Sequence, residues 1–441
     1  MKLLIRNGTI ITLGKRNRVL KNYSVLIEDG RIKGVAPNER FKGKYDKIVD
    51  ATDKVVMPGF INNHMHFYST MVRGLGKAKP SKDFVEVLQN LWWRLDKRLT
   101  LKDVYYSSLI MMINAIKHGT TTLIDHHASP FAIRGSLFEI AKAASISGLR
   151  VSCCYEVSDR DGKKVRDEGI AENEEFIRWA KDANSDFIRG MFGLHAAFTL
   201  ENETLNRVSE IGNQLDSGFH IHCAEAISDE EYSLKRYRMR VVDRLDRFRI
   251  VNDKSILAHC VHIDKREMKT IAKRGAYVAH NPQSNLNNAV GIADVLNMSR
   301  SGIKVLLGTD AMTVNMLEEL RVSLWAQHLR QDNPSCAFME VASTLLFNNP
   351  EFASRHFGLT LGEISEGAAA DIVLVDYLSP TPLDENTAIG HIIYGISQEI
   401  VDTTIVGGRI LMQNKRLCID IDEKEIYERS RILAKRLWDR F

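Results

Sequence analysis

The sequence predicts an α/β protein: a (β/α)8 barrel of the TIM type, inserted into a small β-sandwich-like domain built by both chain ends. Three observations carry this expectation. From about residue 58 onward, short apolar strands that do not alternate in polarity recur between helical segments, the pattern of a parallel sheet covered on both faces. About eight such strands can be counted, which favours a closed barrel over an open sheet. The two chain ends share a texture of short strands and tight turns, and neither end is long enough to close a core alone.

Residues 1–57 read as strands near 3–5, 24–27, 31–35 and 48–56, with Asn7-Gly8 and Asp29-Gly30 as hairpin turns. The barrel strands are expected near 56–62, 121–125, 150–155, 188–194, 219–223, 255–259, 276–279 and 304–308. Helices are expected at 83–95, 101–118, 132–147, 171–183, 201–217, 264–273, 291–301 and 316–330. After 370 strands return at 371–375, 387–393, 403–406 and 409–412, with Gly407-Gly408 as a turn. A last helix at 423–439 offers Ile426, Leu433 and Leu437, with Phe441 just beyond, for packing on either domain. The division is therefore 1–57 and 370–441 for the small domain, the latter with the terminal helix, and 58–369 for the barrel.

Composition excludes several classes. Apolar residues make up 44% and charged residues 26% of 441, as in ordinary soluble globular proteins. The net charge of +4 comes from interleaved rather than clustered Lys and Arg, so nucleic acid binding has no electrostatic footprint. Six scattered cysteines with no C-x-x-C give no disulfide framework, and a cytoplasmic location is expected. No apolar run is long enough to span a membrane. The opening M-K-L-L-I-R-N-G breaks its apolar run at Arg6 and reads as a strand, not a signal peptide.

In a barrel of this kind, chemistry sits where the strands end. His64 and His66 follow the first strand in P-G-F-I-N-N-H-M-H and point to one face of it. His195 ends the fourth strand. His220 and His222 lie in F-H-I-H-C-A-E, with Glu225 three residues on. His259 ends the sixth strand and Asp310 the eighth. Ionisable groups at the mouths of so many buried strands are costly unless paired or bound to metal. His64, His66, His222 and Asp310 make a ligand set suited to one Zn²⁺, or to Fe²⁺, with a position open for water. Such an ion brings hydroxide within reach at neutral pH. Glu225 is placed to shuttle the proton, His259 to orient hydroxide or polarise the bound group, and Asp310 both to ligate and to accept a proton. His195 would face substrate, and His220 would support a ligand from behind.

With these residues in view, the chain resembles the amidohydrolase superfamily, in the aminohydrolase branch of guanine deaminase, chlorotriazine hydrolases and methylthioadenosine deaminases. The matching stretches are P-G-F-I-N-N-H-M-H at 58–66, G-L-H-A-A-F-T at 193–199, H-I-H-C-A-E at 220–225, L-A-H-C-V-H at 257–262, N-P-Q-S-N-L at 281–286 and G-T-D at 308–310. E-G-A-A-A-D-I-V-L-V-D at 366–376 and V-G-G-R-I at 406–410 add to them. Around W-W-R-L-D-K-R-L-T at 92–100 and D-H-H-A-S-P at 125–130 the likeness is nearest to the SsnA-type aminohydrolases. The resemblance implies a mononuclear metal-dependent hydrolase that releases ammonia from an amino-bearing heterocycle such as a purine, pterin or pyrimidine. It also implies a homodimer. No lysine stands in the middle strands where two-metal relatives carry a bridging one, which favours a single ion.

Substrate-facing positions depart from the family pattern. Asp96 replaces a glutamate, an expected arginine after the third strand has no secure counterpart beside Glu156 and Arg160, and G-T-D-A replaces G-T-D-G. Asp96, Trp92, Trp93, His126 and His127 are candidate substrate contacts. Hydrolysis of a cyclic amide or ring C–N bond, displacement of a halide, and a catalytically silent scaffold stay open as alternatives.

Overall fold

A computed structural model describes residues 1–441. Eight parallel strand positions follow one another in chain order. The first three are Phe60–Met65, Thr120–His127 and Arg150–Tyr155. The fourth is split at Met191: Ile188–Gly190 pairs with the third strand and Phe192–Ala196 with the fifth. Phe219–Cys223, Ile256–His259, Tyr277–His280 and Val305–Leu307 complete the series. The two resulting parallel sheets meet at both edges through parallel bridges, Val157 to Leu194 and Met65 to Asp310. At the seam between the first and eighth strands, buried Asn349 substitutes for ladder bonds. Its Nδ2 donates to Ile61 O at 2.7 Å and Leu307 O at 2.9 Å, and its Oδ1 accepts from Leu307 N at 2.8 Å.

The strands are non-alternating because both faces are covered. Every residue of Thr120–His127 and of Arg150–Tyr155 is buried. Helices between the strands carry legible start signals, such as the capping boxes of Thr100 with Asp103 before Leu101–Lys117 and of Asp264 with Glu267 before Lys265–Arg274.

A separate nine-stranded sheet draws strands from both chain ends. Lys54–Pro58 lies antiparallel to Ile372–Asp376 in that sheet, while Phe60–Met65 belongs to the parallel set, so the Pro58-Gly59 break falls between the two. The single strand expected over 56–62 is thus two. The strongest polar tie between the layers is Arg150, at the start of the third parallel strand. Its Nε and Nη2 donate to the Asp371 carboxylate at 2.6 and 3.1 Å, and its Nη1 to Asp186 O at 2.6 Å.

Two other expectations need correction. The segment 387–393, read as a strand, is the helix Ala388–Tyr394, which buries Ala388, His391, Ile392 and Ile393 together. The helix expected at 171–183 begins at Lys163. Gly169 masks that start in the sequence, but a Cβ there would come within 2.9 Å of the Tyr155 ring, so close packing explains it. The last helix, Glu423–Asp439, packs Leu433, Leu437 and Trp438 on Tyr68, Met71, Leu95 and Leu99, beside the first parallel strand's exit loop. No helix is long and apolar enough to cross a membrane.

Candidate active site

The strand ends bring the expected ligand set together. One nitrogen or oxygen from each of His64, His66, His222 and Asp310 lies within 4.8 Å of all the others, and all four residues are in the interior. His66 Nε2 is 2.8 Å and His64 Nε2 3.6 Å from Asp310 Oδ1, and His222 Nε2 is 3.3 Å from His66 Nε2. Close backbone approach makes this possible. Thr309 N and Asp310 N both donate to His64 O at 2.9 Å, and a Cβ on Gly308 would come within 2.7 Å of His64 Cβ. Only glycine lets the eighth strand sit there. His259 at φ 77° and Asp310 at φ 51° adopt left-handed backbone, a cost that clusters where side chains must be aimed.

The outward ring nitrogens fix which nitrogen faces the centre. His66 Nδ1 donates to His126 O at 2.5 Å, and His222 Nδ1 to His195 O at 2.9 Å. Carbonyls only accept, so both Nε2 atoms carry lone pairs toward the cluster. His64 Nδ1 rests on His220 Nε2 at 2.8 Å, leaving His64 Nε2, buried and without a hydrogen-bond partner, facing Asp310. Three convergent imidazole lone pairs and one carboxylate are a donor set that fits a divalent zinc- or iron-type ion. His220 is held behind His64 and stacks on His126 with ring centroids 4.5 Å apart.

Beside the cluster, Glu225 Oε2 is 3.5 Å and Asp310 Oδ2 4.0 Å from His259 Nε2. Asn285 Nδ2 donates to His259 Nδ1 at 2.8 Å, so His259 offers an N–H to the centre. Asp229 accepts from Glu225 N at 3.0 Å, and Asn288 Nδ2 donates to Glu225 Oε1 at 3.4 Å. Burial, reinforced by the Asp310 and Asp229 charges, pushes the Glu225 carboxyl well above the usual carboxylate range. Burial acts on Asp310 in the same sense, but the His64 and His66 imidazoles beside it outweigh burial and hold the carboxyl well below its usual range.

A cavity of about 260 Å³ opens over these groups, lined among others by His66, His222, Glu225 and Asp310 on its floor. Of the expected substrate contacts, Trp92, Trp93, Asp96 and His195 stand in its wall. His127 does not. It stands behind Tyr68, its Nε2 2.9 Å from Ser129 Oγ, and burial holds its imidazole down to about 3. His126 is likewise withdrawn, with Nε2 donating to His220 O at 3.1 Å. Residues without an assigned role in the sequence reading also reach the site. Ser284 hydrogen-bonds Asp310 Oδ2, Asn285 holds His259, and Glu156 lies in the cavity wall. The stretch N-P-Q-S-N-L carries the first two; the third is visible only as a carboxylate after the third strand.

The Amidohydrolase family model matches residues 55–411. The chain belongs to the amidohydrolase family. Among its relatives, a 5-methylthioadenosine/S-adenosylhomocysteine deaminase of Syntrophomonas wolfei is 30% identical over 443 residues, covering 99% of each chain. A 5'-deoxyadenosine deaminase of Methanocaldococcus jannaschii is 30% identical, covering 93% of this chain and 95% of that one. Among solved structures, an adenosine deaminase from Xanthomonas campestris with bound zinc superposes with a TM-score of 0.87 at 23% identity, over 99% of this chain and 98% of that one. The family membership agrees with the resemblance carried by the motifs.

Proposed function

We propose that this amidohydrolase is a mononuclear metal-dependent aminohydrolase, which adds water to an amino-bearing carbon of a heterocycle and releases ammonia. The observation that carries the reading is the convergence of His64, His66, His222 and Asp310 on one point, with Glu225 and His259 beside it. The deaminase names of the relatives support an amino-bearing purine among the substrates. The two bridged parallel sheets support a TIM-type (β/α)8 barrel over 58–369, and the nine-stranded sheet a smaller domain from 1–57 and 370–441.

His64, His66, His222 and Asp310 would hold the ion, zinc by preference or iron. When bound, it supplies Lewis acidity and makes hydroxide available near neutral pH. The other residues then divide the proton work. Glu225, at the cavity floor with a raised proton affinity, takes the proton of the attacking water and delivers it to a ring nitrogen. The carbon loses its aromatic bond order at that step, and the amino group departs as ammonia once the proton of the new hydroxyl has passed to it through Asp310, leaving a carbonyl. His259 points its Nε2–H at the space between Glu225 and Asp310, where negative charge gathers on the oxygen. The bulk of the substrate lies in the wall formed by Trp92, Asp96 and His195.

The test is a screen of aminopurines, aminopterins and aminopyrimidines with metal-loaded protein, reading ammonia and product mass. Ammonia with an oxygen-for-nitrogen mass change supports the proposal. Ring opening without ammonia would put the chain among other hydrolases of the family.

A further inference from the structure

We propose that Glu156 selects the substrate: it accepts a hydrogen bond from a ring N–H, so the chain prefers lactam-type heterocycles over adenine-type rings. The inference rests on the aminohydrolase reading and narrows its substrate class.

The wall of the cavity holds two carboxylates, Asp96 and Glu156. They differ in one respect. Asp96 is tied to Arg160, which in turn contacts Asp161 at 3.1 Å. Glu156 has no Lys or Arg partner. Histidines alone stand near it: His66 Nδ1 at 3.3 Å, His126 Nδ1 at 3.6 Å and His195 Nε2 at 3.7 Å. None of them satisfies it. The His66 Nδ1 hydrogen goes to His126 O, and the His126 hydrogen lies on Nε2, which donates to His220 O. Glu156 Oε1 is left fully enclosed with no hydrogen-bond partner.

His195 makes the case sharper. Thr199 Oγ1 is 3.0 Å from Ala196 O and 2.8 Å from His195 Nδ1. A carbonyl can only accept, so the hydroxyl hydrogen goes to Ala196 and His195 Nδ1 donates to the hydroxyl oxygen. His195 Nε2 is therefore an acceptor. Two acceptors, Glu156 Oε2 and His195 Nε2, face each other at 3.7 Å in the wall with no donor between them. A buried acceptor left unmatched is costly, and a ligand that brings a hydrogen to it relieves that cost.

An adenine ring joined to its sugar at N9 presents N1, N3 and N7 as bare acceptors and has only its departing amino group to give. Against this wall it would set lone pair on lone pair. A lactam such as the guanine, isocytosine or pterin ring carries a ring N–H next to its carbonyl, and that hydrogen matches the pair of acceptors. Sites that hydrogen-bond a substrate N–H discriminate strongly against analogues lacking it.

The experiment uses the metal-loaded full chain and a matched, unreactive pair. Hypoxanthine carries the ring N1–H, and 6-methylpurine keeps the purine ring with a bare N1 and no leaving group at C6. Binding is measured by calorimetry for wild type, Glu156→Gln and Glu156→Asp, with metal content measured on each sample. Wild type is expected to prefer hypoxanthine roughly 10- to 100-fold, the value of one hydrogen bond to a charged group. Glu156→Gln should lose most of that preference at unchanged metal content, and Glu156→Asp, which keeps the charge, should retain part of it. Equal binding of both rings by wild type, preference for 6-methylpurine, or an undiminished preference in the Gln variant each overturns the proposal. Loss of metal in the Gln and Asp variants would make Glu156 a support for His66 and also overturn it. Because neither ring is deaminated, this result is separate from the ammonia screen. Ammonia release with no Glu156-dependent preference sinks the selection alone, and the preference without any ammonia release sinks the aminohydrolase reading alone.

Discussion

The third parallel strand begins at a buried arginine and is followed by a buried glutamate, and the two groups are treated in opposite ways. Arg150 spends its Nε, Nη1 and Nη2 on Asp371 and Asp186 O, all within 3.1 Å. Six residues on, Glu156 keeps one oxygen enclosed and unmatched, next to a set of histidines whose lone pairs converge. A buried charge that is fully satisfied locks two layers together, whereas buried groups left open are ready for something that is not part of the chain. In parallel strands this split follows chain direction, with stability at the strand starts and chemistry at the strand ends.

Four changes probe the contrast, from the largest effect down. Asp310→Asn removes the charged member of the proposed ligand set and the neighbour of His64 and His66. Metal content by mass spectrometry and turnover should both collapse while circular dichroism stays native. Asp371→Ala strands Arg150 in the interior. It should cost about 3–5 kcal/mol in urea unfolding, with metal content of the folded protein unchanged. His220→Asn takes away the group behind His64 Nδ1, and metal affinity by competitive chelation should fall about 10- to 100-fold.

The smallest effect concerns pH. His280, fully buried, is held down to about 3 by burial and by the charge of Arg330. An unfolded histidine titrates near about 6.5, so the unfolded chain binds the extra proton between these values. Stability from this group is complete above that pH and is lost as pH falls toward 3. Between pH 6.5 and 5.5 the loss should be about 1 kcal/mol, and urea titrations should show a shallower slope for His280→Gln.

The strand ends were legible because histidines and an aspartate interrupt apolar strands, and burial leaves such residues few uses. His64, His66, His222 and Asp310 could each be named from that alone. What lay hidden depends on the third dimension. His127 sits on the same kind of strand end as His66, yet Tyr68 screens it from the cavity. Glu156 looked like a stray carboxylate because its lack of a cationic partner is a property of the packing. The 387–393 segment misled because a short apolar run reads equally as a strand or a buried helical turn. Its real constraint is the burial of Ala388, Ile392 and Ile393 as one face.

In the proposed division of labour, four side chains hold an ion and Glu225 moves the proton. The direct test is Glu225→Gln, with metal content and ammonia release measured on the same preparation. Metal should stay at the wild-type level while turnover falls about 10²- to 10⁴-fold. Undiminished turnover, or loss of the metal together with the activity, would contradict it.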